Sequence, residues 1–307
     1  MNGIQRCAGI NITSSRLQFV EVEKETDQLV AANIGQTFIS PAINFEDQIE
    51  GNIQNQIQTA FDEIKIRNPF TSTIASFTLP PELFITIQLP YDSDLNQKEI
   101  REEFNWEISQ LYPFIPIDDL AIKFYELDKG LLPGKCNALV VALSKKHLLL
   151  IKYFCIKNNL TPKLVDNASI TANSFLNSSA ITGKDLVTVN IFNSRHSITL
   201  FINISSKPVY VKVFQKHEDR IISRIIDDLS KENFKKVLSS PLTNAFISGE
   251  DIASNLLSEL KNSTGLEFKK FNPFSFLRLK PGIPSNEVSE ELYNTFTSAA
   301  GIASRFI

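Results

Sequence analysis

An order of elements that occurs twice along the chain constrains the fold more than any other feature. Alternating apolar residues mark strands at 7–12, 17–22 and 29–34. A helix follows, its apolar positions Ile49, Ile53, Ile57, Phe61 and Ile64 recurring every three or four residues. Asn68-Pro69 stops it before a strand at 73–79. The second half repeats the plan, with strands at 185–191, 197–204 and 208–214, a helix over 218–238 and a strand at 244–248. The opening turns align as well, Asn11-Ile12-Thr13-Ser14-Ser15-Arg16 with Asn190-Ile191-Phe192-Asn193-Ser194-Arg195. Such a chain folds as two similar α/β lobes.

Between the copies lies a different pattern: a strand at 84–88, a helix at 97–110, strands at 120–127 and 137–143, and a helix at 145–158. It reads as an inserted α+β unit. A strand at 163–165 and a helix capped by Asp166 lead back, the carboxylate accepting from free first-turn amides. A helix at 251–261, a strand at 266–270, the Asn272-Pro273-Phe274 break and a last helix near 293–305 complete the chain. The expected division is 1–83 first lobe, 84–162 insert, 163–184 return to the first lobe, 185–288 second lobe and 289–307 C-terminal helix.

Of the 307 residues 43% are hydrophobic, enough for one large core or two moderate ones. The net charge of -3 leaves no cationic excess for phosphate backbones, so a nucleic-acid partner is not expected. The N-terminal residues lead straight into a strand pattern without a signal peptide's apolar region, and no apolar run reaches membrane-spanning length. The expectation is a cytoplasmic protein without direct membrane insertion. Cys7, Cys136 and Cys155 sit in apolar segments and read as free thiols. His147, His196 and His217 lack zinc-ligand spacing, so no metal site is assigned.

Further motifs lie in a consistent order. They are Gly9-Ile10-Asn11-Ile12, Leu89-Pro90, Tyr112-Pro113-Phe114-Ile115-Pro116, Ala142-Leu143-Ser144-Lys145-Lys146 and Leu160-Thr161-Pro162-Lys163-Leu164-Val165-Asp166. Phe271-Asn272-Pro273-Phe274 and Ala300-Gly301-Ile302-Ala303-Ser304-Arg305 follow near the end. With these motifs the chain resembles the PilM family of type IV pilus assembly proteins, relatives of the division protein FtsA in the actin superfamily. The resemblance implies an actin-like (ribonuclease H-like) fold of duplicated lobes with an inserted subdomain, the closing subdomain 2B being reduced or absent.

Working members of that superfamily carry approximately Asp-Ile-Gly on both opening hairpins, the acids helping to hold hydrated Mg²⁺ and the glycines admitting phosphate to backbone amides. Here Asn11 and Asn190 stand for the acids, and Thr13 and Phe192 for the glycines. One unit-charge pair at 4 Å is worth about 4 kcal/mol at an effective dielectric of 20, an upper guide to what each neutral amide forfeits. On the adenine side Gly249 is followed by Glu250, whose charge repels phosphate. No catalytic residue, metal site or cofactor is therefore expected; ATP with Mg²⁺ belongs to the alternative reading of an ATPase regulating the same assembly. A sugar-kinase-like transferase ranks last.

Plainer readings stand beside these. Asn11 and Asn190 read as turn residues bonding local backbone. Arg16 and Arg195 are phosphate clamps or, more simply, solvated hairpin arginines. Asp166 caps a helix or orients a hydrolytic water. Phe104, Trp106, Tyr112 and Phe114 are core, or they line a groove between insert and first lobe. By the resemblance, that groove would take the cytoplasmic tail of a PilN-like inner-membrane partner, holding the scaffold at the inner face of the cytoplasmic membrane. Self-association is left open, as are the partner's identity and the choice between a pilus and a related secretion assembly.

Overall fold

The structure is a computed structural model. It describes residues 6–25, 28–46, 50–128, 136–180, 186–216, 221–231, 234, 238, 243–250, 252–281, 283 and 288–305. Ile49, His217, residue 251 and parts of the expected 218–238 helix lie outside the described residues.

The first lobe opens with an antiparallel meander, β1 (Arg6–Ile12), β2 (Arg16–Glu25) and β3 (Gln28–Phe38), then α1 (Glu50–Arg67) and β4 (Ile74–Leu79). The insert supplies β5 (Phe84–Tyr91), α2 (Gln97–Leu111), β6 (Leu120–Leu127) and β7 (Cys136–Ser144). The chain returns through α3 (Lys145–Lys157), β8 (Thr161–Asn167) and α4 (Ala168–Ala180); because Leu150, Ile151 and Phe154 of α3 pack in the core of the first lobe, that helix belongs to the lobe and not to the expected insert of 84–162. The second meander is β9 (Val187–Asn193), β10 (Ser197–Ile204) and β11 (Lys207–Gln215), followed by α5 (Ile221–Leu229) and β12 (Thr243–Gly249). Then come α6 (Ser254–Thr264), β13 (Phe268–Lys270), the short β14 (Arg278–Leu279), a 3-10 helix (Glu290–Phe296) and α7 (Thr297–Ser304). The expected single C-terminal helix is thus 3-10 in its first half.

Three sheets result, ordered β14-β3-β2-β1-β4-β8, β11-β10-β9-β12-β13 and β5-β7-β6. In both lobes the meander is antiparallel and the strand after the helix lies parallel to the first strand, β4 on β1 and β12 on β9. The duplication read from periodicity is therefore a duplication of topology.

Strand alternation assigns the two faces of each lobe sheet. Ala8, Ile10 and Ile12 point outward into a core closed by α1 and α3, through Ile57, Phe61, Ile151 and Phe154. Val189, Ile191 and Leu200 point outward beneath α5 and α6. The inner faces meet a central layer made of α4 and α7, which pack on each other. Small residues allow this approach, since a Cβ on Gly9 would lie 2.0 Å from the Ala299 carbonyl oxygen of α7. Between β11 and β12 the described residues hold α5.

The insert is an α2-on-sheet unit with its own core around Phe104, Ala138, Val140 and Ala142. Asn96 starts α2 by accepting from the Lys98 and Glu99 N–H groups while Glu99 accepts from the Asn96 N–H, a reciprocal capping box. The other face of its sheet, Leu127, Leu139 and Val141, packs on Ile170 of α4 and on Phe201 and Val211 of the second lobe. The Asp128 N–H donates to the Pro208 carbonyl at 3.0 Å, and Lys207 pairs with Asp128 at 3.6 Å. The insert thereby braces both lobes.

Candidate functional site

The seam between the lobes is where a two-lobed fold of this kind can hold a ligand, and three of its parts are defined by side chains. The first part is the pair of hairpins. The turn between β1 and β2 is closed by Thr13 N–H donating to Arg16 O at 2.9 Å, and that between β9 and β10 by Ser194 N–H donating to Ser197 O at 2.9 Å. Ile12 pairs with Leu17 and Asn193 with Ile198 at the two mouths. Measured from the turns, Asn11 is level with Phe192, and Asn190 with Gly9. The sequence alignment of the two asparagines is therefore offset from the structural equivalence by one in–out repeat. Side chains alternate with period two, so such a slip keeps every residue on its face and leaves no trace in the apolar pattern.

Neither asparagine serves as a turn residue, contrary to the sequence reading. Asn11 is 3% exposed inside β1, where its Nδ2 donates to Gln18 Oε1 at 3.1 Å and its Oδ1 accepts from Thr78 Oγ1 at 2.9 Å. Gln18 passes the chain on, donating to Thr295 Oγ1 at 2.7 Å in the 3-10 helix. Asn190 is buried mid-strand in a cluster of amides. Its Nδ2 donates to Asn173 Oδ1 at 2.7 Å, Asn173 and Asn177 donate to Asn203 Oδ1, and Asn203 donates to Thr188 Oγ1. Both asparagines face the central helices, where neutral amides bond to one another and no charge has to be desolvated, although Asn190 Oδ1 itself is buried without a hydrogen-bond partner among the described residues. The ring of Phe192 is buried against Ala168 and Ala172 of α4.

The second part ties the seam shut at the second hairpin. The 3-10 turn Pro81–Leu83 carries Glu82 across from the first lobe, and Ser194 Oγ donates to Glu82 Oε2 at 2.9 Å while Ser197 Oγ lies at 3.4 Å. A carboxylate of the chain itself occupies the hydroxyls of the hairpin. Gly249, with φ of 102° and a would-be Cβ 2.2 Å from the Asn193 carbonyl oxygen, packs β12 against that hairpin. Asn294 Nδ2 donates to the Gly249 carbonyl at 2.8 Å, and Glu250 beside it is buried. Arg195 and His196 are exposed at the turn, and the Arg16 guanidinium stacks 5.1 Å from the Phe38 ring centre. Neither arginine is brought to a shared anion position.

The third part is a cavity of about 410 Å³ where insert, α4 and second lobe meet. Leu127, Leu139, Ile170, Phe201 and Val211 give it an apolar floor, and Asn173, Ser174, Asn177 and Arg305 give it a polar wall. Asp166 stands behind that wall. Tyr125 Oη donates to Asp166 at 3.1 Å, and Arg305 of the C-terminal segment forms an ion pair with it. Burial, and then the negative charge of Asp166, push the Tyr125 phenol well above its ordinary range, so it stays a neutral donor. The expected helix-capping role of Asp166 falls to Asn167, whose Oδ1 accepts from the Ser169 N–H at 2.9 Å.

The aromatic residues picked out on the insert do not line this cavity. Phe104 is insert core and Tyr112 packs on it, while Trp106 and Phe114 are exposed; α2 covers the sheet face opposite to the one facing the cavity. Glu82, Asn173, Asn177, Asn203 and Tyr125 were not singled out by sequence, and Arg305 was marked there only as the end of a terminal motif. The signal available was the spacing of Asn173 and Asn177, two amides one turn apart on the apolar face of α4. Cys7 and Cys155 are buried free thiols, and burial pushes Cys155 up to about 12. Among the described residues no group of three His, Cys, Asp or Glu side chains could hold a metal ion, and no helix is long and apolar enough to cross a membrane.

Comparison with known proteins places this geometry. The family model for type IV pilus assembly protein PilM matches residues 9–224. A chain of the solved PilM-PilN type IV pilus biogenesis complex superposes with a TM-score of 0.73 at 19% identity, over 97% of this chain and 98% of that one. A protein of actin-like ATPase fold and unknown function from Bacteroides thetaiotaomicron superposes with a TM-score of 0.52 at 11% identity, over 94% of this chain and 95% of that one. No curated protein sequence matches the chain.

Proposed function

Since this chain belongs to the family of type IV pilus assembly protein PilM and has an actin-like fold, we propose that it is a non-catalytic scaffold of such an assembly. In this reading it sits on the cytoplasmic side of the inner membrane and binds the cytoplasmic tail of a PilN-like membrane protein. The group that the fold family implies is ATP with Mg²⁺, and the residues present do not fit it. The positions read as metal-holding acids are amides already bonded to Gln18, Thr78 and Asn173. Phe192 fills space against α4, and the second hairpin already carries a carboxylate. An incoming phosphate would have to displace Glu82 and meet its charge.

The observation that carries the reading is the contact of Glu82 with Ser194, which joins the lobes through the hairpin that a nucleotide would need. A protein whose lobes are latched and braced by an insert offers a fixed surface rather than a nucleotide-driven hinge. The cavity between insert, α4 and second lobe is the place for the tail. Its apolar floor receives side chains, and exposed Ser174 and partly exposed Arg305 are placed for the peptide backbone or a carboxylate.

Calorimetric titration separates this reading from its enzymatic competitor. ATP with excess Mg²⁺ is expected to give no binding heat, and a micromolar Kd would overturn the scaffold reading in favour of a nucleotide switch. A peptide copying the cytoplasmic tail of the PilN-like protein from the same host is expected to bind with one-to-one stoichiometry.

A further inference from the structure

Two exposed apolar patches remain that neither the cavity nor the seam uses, and they carry opposite charge. Helix α3 buries Leu150, Ile151, Phe154 and Cys155 in the first lobe, yet its outer face exposes Leu149 at 46%, Tyr153 at 52% and Ile156 at 64%. Exposed Lys145, Lys146, Lys152 and Lys157 flank that stripe, and the helix contains no acidic residue. The second patch is the end of α2 and the segment that follows it. Leu111 and Ile115 are exposed there, Phe114 is 97% exposed, and the segment ends in exposed Asp118 and Asp119.

The patches adjoin. Lys145 Nζ donates to the Asp118 carbonyl at 2.6 Å, and Lys145 shares its helix face with Leu149, Tyr153 and Ile156 at spacings of four, eight and eleven. One side of the molecule therefore presents a basic apolar strip beside an acidic apolar one.

We propose that this side is a self-association surface on which a second copy of the chain docks with two-fold symmetry, the α3 face of each copy covering the 111–119 segment of the other. A two-fold axis makes both unlike contacts at once, burying Phe114 against Leu149 and Tyr153 and setting Lys152 opposite Asp119. An anionic lipid surface would also attract the lysines, but it would repel the adjoining Asp118 and Asp119. The charge pattern therefore fits a partner that carries both signs in the reverse order, as a second copy does.

Sedimentation equilibrium of the full chain tests this through two exposed substitutions. The wild type is expected to saturate at twice the chain mass. Lys152→Glu and Asp119→Lys should each weaken pairing about tenfold or more, with unchanged melting temperatures. Mixed in equal amounts, the two variants should pair again, because one copy's Glu then faces the other's Lys while the second contact stays native. A wild type that stays monomeric overturns the proposal, as do single variants that pair as tightly as the wild type, a mixture that pairs no better than either variant alone, or a mass climbing past two copies. Flotation with phosphatidylglycerol vesicles completes the test: binding that Lys152→Glu abolishes would assign the surface to membrane and overturn pairing, whereas absence of binding supports it.

Discussion

Replacing Gly9 by Ala adds one methyl group to β1, and the structure says what it meets. The Cβ would lie 2.0 Å from the Ala299 carbonyl oxygen, 2.7 Å from the Ala303 nitrogen and 2.7 Å from Ile302 Cγ2. Two of these are backbone atoms of α7 and cannot rotate aside. Nor can α7 retreat, because Gly301 on that helix is already held against Phe175 and the Thr171 carbonyl of α4, with a would-be Cβ at 2.8 and 2.9 Å. Relief requires parting β1 from α7 by more than 1 Å, so the cost should reach or exceed the upper end of overpacking penalties, about 3 kcal/mol. With an unfolding entropy of about 2.1 cal/mol/K per residue, a chain of 307 residues loses about 5 °C of Tm for that amount. Gly51 is the internal control: it sits on α1 with nothing within 4 Å of its would-be Cβ, so Gly51→Ala should stabilise by about 0.5 kcal/mol. Scanning calorimetry of the two variants reads both signs. A Gly9→Ala protein melting within 1 °C of wild type would refute the claim that α7 is wedged between the first sheet and α4.

Three further outcomes follow from the site. Ser174→Trp, at an exposed position of α4 on the cavity wall, should abolish titration by the tail peptide while changing Tm little; unchanged affinity would move the tail elsewhere. Arg305→Ala leaves the buried Asp166 carboxylate with Tyr125 and a backbone N–H, and because Arg305 is partly exposed the cost should fall near 1–3 kcal/mol rather than at the full buried-pair value. Denaturant unfolding of the single and double variants with Asp166→Asn should show that the double loses less than the sum. His147 is held neutral by burial and then by the nearby Lys146, which lower its pKa from 6.5 to about 4. The unfolded chain therefore binds more protons than the folded one in that interval. The His147 contribution to stability is unaffected above about 6.5, becomes unfavourable as pH falls and levels off near 4, and His147→Gln should flatten that part of the stability profile.

Much of the architecture is legible in the order of residues, because period-two and period-3.6 patterns are local. The two meanders, α1 with Ile53, Ile57, Phe61 and Ile64 inward, and the insert with its α2 and three strands all follow from spacing and stop signals. That Asn11 and Asn190 are neutral amides is equally a statement about letters. What those amides do instead is not, since their partners Thr78, Gln18 and Asn173 come from other strands and helices. The equivalence of Asn11 with Phe192 also escapes the sequence, because a two-residue slip preserves every in–out assignment.

Asp166 shows the same division. The sequence marks a polar residue at a helix start, whereas the fold hands the cap to Asn167 and brings Arg305 across from the far end of the chain to pair with Asp166. The sequence by itself determined which elements form and which residues stand on the hairpins, since both are read along the chain. Tertiary structure alone decided that Glu82 latches the lobes and that the cavity opens behind the insert rather than under its aromatic helix, because such contacts depend on how sheets stack.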